Sequence, residues 1–210
     1  MIENEDEAKK FVANCCDDAA MARLERFAAL LVEENSRQNL ISAATIPHLW
    51  QRHIADSAQL ARLVPRETIK RPSSIWIDLG TGAGLPGLVI AAMYLELRVI
   101  LVESRARRIE FLSRCKDLLG LANCTIIGER LERIDPFSVS VISARAFAPL
   151  DKLLRLSAPF STNDTIYLLP KGRSAQHEVD QLPKKKREMF HVEQSLTDAE
   201  AGIIVSAHKS

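Results

Sequence analysis

The chain has 210 residues, of which 47% are hydrophobic, and its 28 basic and 27 acidic side chains leave a net charge of +1. This balance excludes a uniformly basic nucleic-acid-binding protein, so any contact with RNA has to come from local patches. The four cysteines lack the CxxC spacing of a metal site, and no apolar run reaches the ~18 residues of a membrane helix. With a polar, acidic start that is unlike a signal peptide, these features predict a cytoplasmic protein that holds no metal and binds no membrane.

Residues 1–72 are predicted to form a helical segment that packs on the rest of the chain. A helix over 17–35 carries one apolar stripe at three- and four-residue spacing, which is typical of a helix that packs against a core. A polar loop follows, and a second helix then contains Arg52, His53 and Asp56. Because Arg52 and Asp56 are four residues apart, they are expected to pair on one helix face. His53 is either a packed histidine or part of a polar cluster that faces a ligand.

Residues 73–210 alternate short apolar strands with helices. This pattern predicts an α/β fold with a mostly parallel sheet covered by helices on both faces. The strands are predicted at 75–79, 98–103, 124–127, 138–143, 165–169, 190–192 and 203–205. The helices are predicted at 85–95 and 105–119, from 150 onwards, and at 174–182. The last two strands are expected to form a hairpin-like pair, which gives seven strands in all.

The glycine-rich stretch 78–87 joins the first strand to the next helix. A strand, a glycine-rich turn and a helix N-terminus together make a ready site for a nucleotide or nucleoside. The letters GxGxxG from residue 82 match the dinucleotide fingerprint, whereas DxGxGxG from residue 78 matches the first motif of methyltransferases that use S-adenosylmethionine. Glu103, at the end of the second strand, suits the hydroxyl groups of a ribose and fits both interpretations.

Three features favour S-adenosylmethionine over NAD. The sheet follows the helical residues 1–72, and no second domain of dehydrogenase size follows the sheet. Asp78 lies where an acid can reach the cationic end of S-adenosylmethionine, directly or through water. The expected antiparallel pair at the end of the sheet also suits a methyltransferase. The pair Tyr167-x-x-x-Lys171 imitates short-chain dehydrogenases, but their pair requires a helix, which Pro170 excludes here.

The segment SARAF (143–147), after the fourth strand, indicates which kind of methyl acceptor the site suits. It has neither the Asn/Asp-Pro-Pro-aromatic motif of enzymes that methylate exocyclic amines nor the Pro-Cys nucleophile of cytosine C5 enzymes. An arginine among small residues suits an acceptor with a free lone pair, such as guanine N7, because no proton has to be removed before attack. Arg145 is then a candidate to hold the carboxylate of S-adenosylmethionine, a phosphate of the acceptor or a guanine edge.

Together these segments resemble the bacterial 16S rRNA guanine-N7 methyltransferases, also called glucose-inhibited division protein B. The resemblance extends over about residues 35–172. It is carried in order by NLIS (39–42), RHIADS (52–57), DLGTGAGLPG (78–87), VES (102–104), ERLE (129–132), SARAFA (143–148) and KG (171–172). The Leu-Pro-Gly end of the glycine loop, combined with the upstream RHIADS, is its most specific part.

The resemblance implies a Rossmann-like class I methyltransferase fold, with an N-terminal helical segment (1–72) and a core that binds S-adenosylmethionine (73–210). The cofactor contacts that it implies are Gly80, Leu85, Leu131, Glu132 and Arg145, with the adenine near Leu131 and Glu132. The glycine loop and the end of the second strand add Asp78, Gly82 and Glu103 as candidate cofactor contacts, and Arg145 is the candidate catalytic residue. The side chains expected to face RNA are His53, Arg105, Arg107, Arg108 and Lys171.

The leading hypothesis is transfer of a methyl group from S-adenosylmethionine to N7 of a guanine in 16S rRNA, with S-adenosylhomocysteine as the product. The expected partner is 16S rRNA or the small ribosomal subunit, and the enzyme is expected to act as a monomer. Two other hypotheses stay open. One is a methyltransferase of a small molecule, and the other is a nucleotide-binding protein without catalysis.

Overall fold

The structure, a computed structural model, describes residues 1–206, and its centre is a seven-stranded sheet. The strands are β1 (Ile75–Leu79), β2 (Arg98–Val102), β3 (Cys124–Ile127), β4 (Val141–Ser143), β5 (Ile166–Lys171), β6 (Phe190–Gln194) and β7 (Gly202–Ser206). Their order is β3-β2-β1-β4-β5-β7-β6. Strands β1 to β5 are parallel, and β7 is antiparallel to β5 and β6. The mostly parallel sheet and its final antiparallel pair are confirmed.

Helices surround this sheet, and two hydrophobic clusters lie on its two faces. The helices are α1 (Glu5–Ala13), α2 (Asp18–Asn35), α3 (Asp56–Ala58), α4 (Arg66–Lys70), α5 (Gly87–Met93), α6 (Ala106–Leu119), α7 (Leu150–Ser157), α8 (Ala175–Asp180) and α9 (Lys184–Arg187). Along β1, Trp76 belongs to one cluster, and Ile77 and Leu79 belong to the other. Successive side chains of a strand point to opposite faces, so both faces of β1 are buried.

The N-terminal helices share a hydrophobic core with the sheet. The carboxylate of Asp17 accepts a hydrogen bond from the Ala20 N–H at 2.7 Å and so caps α2. The predicted apolar stripe is buried at Leu24, Phe27 and Leu31. These side chains join the same cluster as helices α5 and α6 of the sheet domain. Residues 1–72 therefore pack directly on the part of the chain that carries the glycine loop.

The second predicted helix is irregular, and this changes the partner of Arg52. A 3-10 turn (Ala43–His48) leads into a π-helical turn (Trp50–Ala55). A π turn has an i to i+5 repeat, so side chains four residues apart no longer align as they do on an α-helix. The predicted pairing of Arg52 with Asp56 is wrong, because Arg52 Nη1 lies 2.6 Å from a carboxylate oxygen of Asp198.

Several other element boundaries differ from the prediction, two of them for a visible reason. The helix expected over 85–95 is shortened to Gly87–Met93, because the preceding residues form turns such as the one closed by the Gly84 N–H on the Thr81 carbonyl. The strand expected over 138–143 pairs only from Val141 to Ser143. The first and third strands have the predicted ends.

The strand order reverses at β1, which pairs with β2 on one side and with β4 on the other. In open α/β sheets, ligands bind in the crevice outside the carboxyl ends of the strands at such a reversal. Gly80, Glu103 and Arg145 come directly after β1, β2 and β4 or within two residues of them. The fold therefore brings the three main sequence signals to one edge of the sheet.

Candidate active site

The glycine loop after β1 requires glycine for its backbone conformation. Gly80 and Gly82 have φ angles of +64° and +59°, in the left-handed region that residues with a Cβ disfavour. A Cβ on Gly80 would also overlap the aromatic ring of Phe147, which covers this part of the loop. The Gly82 N–H donates a hydrogen bond to Glu103 at 3.1 Å, which ties the loop to the end of β2.

Asp78 lies beneath the loop and is fully buried. One carboxylate oxygen accepts a hydrogen bond from the Ser143 hydroxyl at 2.7 Å, and the other accepts from the Gly87 N–H at 3.0 Å. Burial raises the pKa of Asp78, and the hydrogen bonds from Ser143 and Gly87 oppose that rise. Asp78 thus joins β1, β4 and the start of α5, which is a different task from the expected contact with the cationic end of a ligand.

Glu103 holds the loop and also faces open space. Its Oε2 accepts from Gly82, and its Oε1 accepts from the N–H groups of Ser104 and Arg105 at 2.8 and 2.9 Å. The Arg108 guanidinium lies 3.6 Å from Oε2. A carboxylate oxygen can accept more than one hydrogen bond, so Glu103 retains capacity for a hydroxyl donor.

A first cavity of about 340 Å³ lies beside Glu103. Its lining includes six of the sequence-predicted residues, namely Gly80, Glu103, Arg105, Arg108, Leu131 and Glu132. The lining fits S-adenosylmethionine: the bare backbone of Gly80 permits close approach, Leu131 is apolar, and the carboxylates of Glu103 and Glu132 suit ribose hydroxyls. Gly82 and Leu85 lie outside this lining, with Leu85 buried in the core.

A second cavity of about 210 Å³ contains Arg145. Its wall also includes His53 and Asp56 from the N-terminal segment and Lys171 from β5. The two cavities are separated by the segment after β4, because Arg145 lines the second one whereas Ala146, Phe147 and Ala148 line the first. The positive φ of Ala146, +51°, marks the turn between them.

Arg145 is held by a chain of hydrogen bonds that fixes the tautomer of His53. Arg145 Nη1 lies 3.1 Å from His53 Nδ1, and His53 Nε2 lies 2.8 Å from the Thr45 hydroxyl. Since arginine only donates, Nδ1 must accept and Nε2 carries the proton. The Thr45 hydroxyl in turn donates to the Ser42 carbonyl at 2.8 Å. Both ring nitrogens are therefore engaged and His53 holds Arg145, while its expected contact with RNA stays a prediction.

Burial and charge keep this histidine neutral. The pKa of His53 is lowered to about 3, first by burial and then by Arg145 and Arg52. In the unfolded chain the pKa of His53 returns to 6.5. Between about pH 3 and pH 6.5 the unfolded state therefore binds more protons than the folded state. The stability that neutral His53 contributes is complete above pH 6.5 and is lost as the pH falls towards 3.

We expect His53→Gln to flatten the pH dependence of stability. Between pH 6 and pH 4, the wild-type free energy of unfolding should fall more steeply than that of the variant, by up to about 1.4 kcal/mol per pH unit. Urea unfolding at several pH values measures this difference. His177→Gln, on the exposed face of α8, should keep the wild-type slope, and an equal slope in His53→Gln would refute the assignment.

Lys171 is largely buried and clamps the segment after β4. Its Nζ donates to the Ala148 carbonyl at 3.0 Å and to Glu178 on α8 at 2.9 Å. Only 10% of the side chain is exposed. The same Glu178 oxygen accepts from the Leu150 N–H at the start of α7. Lys171 therefore fixes the wall between the two cavities and also lines the second cavity, and its expected contact with RNA stays a prediction.

The basic cluster at the start of α6 does not form one surface. Arg105 and Arg108 line the first cavity, and Arg108 faces Glu103. Arg107 lies on the other side of the helix, next to Arg37 and Arg114. Two of the three arginines are thus adjacent to the candidate cofactor cavity, and the third is not.

Sequence reasoning missed the residues that come from distant parts of the chain. Thr197 donates to Asp56 at 2.9 Å from 141 positions away, and Glu178 fixes Lys171. Neither lies in a recognisable motif. Phe147 had a usable signal, since it directly follows Arg145-Ala146 at the carboxyl end of β4.

Among residues 1–206, no helix is long and apolar enough to cross a membrane, and no histidine, cysteine and carboxylate cluster is arranged to hold a metal ion.

Solved structures with a similar fold include methyltransferases. A methyltransferase from Geobacter sulfurreducens matches with a TM-score of 0.56 at 13% identity, covering 86% of this chain and 87% of the other. The ribosomal protein L11 methylase from Lactobacillus delbrueckii subsp. bulgaricus matches with a TM-score of 0.53 at 15% identity, covering 74% and 80%. At these identities the likeness concerns the fold, which is that of Rossmann-like class I methyltransferases.

Relatives found by sequence are much more similar to this chain than these solved structures are. A protein from Erythrobacter litoralis named ribosomal RNA small subunit methyltransferase G is 54% identical, over 98% of this chain and 97% of its own length. Its namesake from Novosphingobium aromaticivorans is 57% identical over 90% and 81%. The GidB family model, described as rRNA small subunit methyltransferase G, matches residues 20–202. The chain belongs to this rRNA small subunit methyltransferase G family.

Proposed function

We propose that this chain transfers a methyl group from S-adenosylmethionine to N7 of a guanine in the RNA of the small ribosomal subunit. One observation carries the proposal. At the carboxyl edge of the sheet, a cavity that suits a nucleoside and a cavity built around Arg145 adjoin the two sides of the segment 145–148. A cofactor and a nucleic-acid base can thus bind next to each other at this edge of the sheet.

The first cavity would hold the cofactor, which supplies a methyl group on a positively charged sulfur. Glu103 is available to accept hydrogen bonds from ribose hydroxyls while it holds the glycine loop through Gly82. Leu131 offers an apolar surface to the adenine, and Gly80 lets the ligand approach the backbone. Asp78 contributes indirectly, because it ties the loop to β4.

Transfer of the methyl group to guanine N7 requires little from a general base. Guanine N7 has a free lone pair, so the reaction needs the acceptor to be oriented and its competing hydration removed. This agrees with the second cavity, where both nitrogens of His53 are already engaged. Arg145 is placed to orient the acceptor, and Lys171 keeps the wall that carries Arg145 in place.

RNA would reach the site over basic side chains. Those that line the first cavity are Arg105, Arg108, Arg130 and Lys152. With a net charge of only +1, RNA binding should be modest and should weaken as the salt concentration rises.

Both cavities are built by a single chain, which supports action as a monomer. Ribosomal RNA as the acceptor implies that the enzyme acts in the cytoplasm.

Methyl transfer with labelled cofactor tests this proposal. The purified protein, tritium-labelled S-adenosylmethionine and ribosomal RNA from a strain that lacks the gene should yield label in the small-subunit RNA and none in the large-subunit RNA. Calorimetry should show binding of S-adenosylmethionine and none of NAD. Absence of cofactor binding would end the proposal, and label in added nucleosides alone would favour a small-molecule methyltransferase.

A further inference from the structure

Helix α9 (Lys184–Arg187) consists of four basic residues, and the fold makes little use of them. The helix buries none of its side chains. Leu182 before it and Phe190 after it are buried, and so both of its ends are fixed. Positive charges at a helix N-terminus oppose the macrodipole, and like charges three residues apart repel each other. The cluster is therefore unfavourable for the stability of α9, which indicates that it serves contact with a partner.

Two ion pairs of one carboxylate join α9 to helix α7. The oxygens of Asp151 lie 3.2 Å from Lys186 Nζ and 3.2 Å from Arg155 Nε. On the same helix α7, Lys152 lines the first cavity. A basic face thus extends from the rim of that cavity over α7 to α9. It consists of Lys152, Arg155, Lys184, Lys185, Lys186 and Arg187.

The charge of this basic face is concentrated and mostly available to a partner. Lys186 is partly exposed, and the other five side chains are exposed. Among the described residues 1–206, Arg155 and Lys186 are the members of the face that form ion pairs, both with Asp151. Asp151 and Glu188 border the six basic residues, which leaves a net charge of +4 there and −3 on the rest of a chain whose total is +1. A nearly neutral protein therefore presents one strongly basic face.

An RNA backbone is the partner that fits this face. RNA carries one phosphate per nucleotide, and lysine and arginine side chains bind these phosphates with release of counterions. Because the face begins at the first cavity, RNA that lies on it passes beside the candidate site. An anionic membrane fits less well, since a helix on a membrane surface needs an apolar side, and none of the four residues of α9 is apolar.

We propose that the basic face is a docking surface for the sugar–phosphate backbone of the RNA that flanks the methylated guanine. This inference rests on the proposed function. The face holds the RNA next to the site and contacts no reacting atom. Contacts to phosphates position a nucleic acid and carry no sequence information of their own. The face therefore contributes affinity, and the residues around the cavities select the base.

A docking surface of this kind affects KM and leaves kcat unchanged. Its contacts to the RNA backbone are the same before and during methyl transfer, so they bind the substrate and the transition state equally. Their loss raises KM for the RNA, whereas the bound complex reacts at the wild-type rate. A side chain that contacts the reacting groups would lower kcat instead. The division of an effect between KM and kcat thus distinguishes docking from catalysis.

The α9 variant, which combines Lys184→Gln, Lys185→Gln and Arg187→Gln, tests the proposal. The substrate is the small ribosomal subunit from a strain that lacks the gene. We expect KM to rise about 10-fold and kcat to stay within about twofold of the wild type. The slope of log KM against log salt concentration, measured between about 50 and 200 mM potassium chloride, should fall by about 2, at roughly 0.7 per lost phosphate contact. An unchanged KM and slope would overturn the proposal.

A matched control variant removes the same charge from another part of the surface. Lys10→Gln, Arg26→Gln and Lys70→Gln change exposed side chains of α1, α2 and α4, and together they should keep the wild-type KM and salt slope. Equal effects of the two triple variants would refute a docking role, because the net charge alone would then account for them. Thermal unfolding should show no loss of stability in the α9 variant, since α9 buries no side chain. A clear loss would assign the cluster a structural role and contradict the proposal.

The remaining outcomes separate the possible failures. Vesicles that contain phosphatidylglycerol test the membrane. If the wild type binds them, and the α9 variant loses this binding but keeps the wild-type KM, the face belongs to a membrane and the proposal is overturned. If the wild type transfers no methyl group to small subunits, the proposed function fails and this inference fails with it. If it methylates them and the α9 variant has the wild-type KM, the function stands and only the inference falls.

Discussion

Arg145→Ala is expected to lower kcat/KM for the RNA about 100-fold and to leave the Kd for S-adenosylmethionine within threefold of the wild-type value. The side chain lines the second cavity and is absent from the lining of the first. Its removal leaves His53 Nδ1 without a donor and Asp56 without its nearest cation. A paired base contact contributes about 1–3 kcal/mol, and 100-fold corresponds to about 2.7 kcal/mol.

Arg145→Lys separates charge from geometry in this prediction. Lysine keeps the positive charge but lacks the planar fork that can contact His53 and a base together, so an intermediate loss of about 10-fold is expected. Arg98→Ala is the matched control, because Arg98 is exposed at the amino end of β2, opposite the site. Steady-state kinetics and calorimetry measure both quantities. A large loss of cofactor affinity in Arg145→Ala would instead assign this arginine to the carboxylate of S-adenosylmethionine.

Glu103→Gln should weaken binding of S-adenosylmethionine about 10- to 100-fold. The carboxylate accepts from three backbone N–H groups with its two oxygens, whereas an amide has one oxygen and presents N–H groups at the other position. Either Gly82 or the pair Ser104 and Arg105 then loses its acceptor. Hydrogen bonds to charged groups contribute about 1.5–3 kcal/mol each, which sets the size of the effect.

Calorimetry with S-adenosylmethionine measures the effect of Glu103→Gln directly. Glu110→Gln, on the nearby helix α6 and outside the first cavity, is the control and should bind as the wild type does. The variant should also lose activity, and added cofactor should restore a large part of that activity. An unchanged Kd would contradict the role assigned to Glu103 in cofactor binding.

Local patterns were sufficient to predict the sheet, the glycine loop and the edge at which the site lies. The first strand could be predicted to the residue because an apolar run ends at a glycine turn that stops the pairing. The positions of Glu103 and Arg145 followed from the rule that parallel strands end at one edge. These features depend on neighbours in sequence, which a single chain displays.

The roles of individual side chains were harder to predict, since burial and long-range partners decide them. Asp78 and Lys171 have the residue types of ligand-binding groups, but neighbouring elements surround both and use their hydrogen bonds. Asp56 was expected to pair with Arg52, and a π turn together with Asp198 from the far end of the chain removed that pair. No spacing rule links residues about 140 positions apart.

The most direct test of the account is the position of the methyl group. Small-subunit RNA or subunits from a strain that lacks the gene are treated with the purified protein and S-adenosylmethionine. The RNA is then cleaved at N7-methylguanine, a nucleotide that is labile to alkali because its five-membered ring is positively charged. We expect one new cleavage site at a guanine, which is absent without the cofactor and much weaker with Arg145→Ala. Methyl incorporation without any alkali-labile guanine would contradict it, because the methyl group would then lie on an atom other than N7.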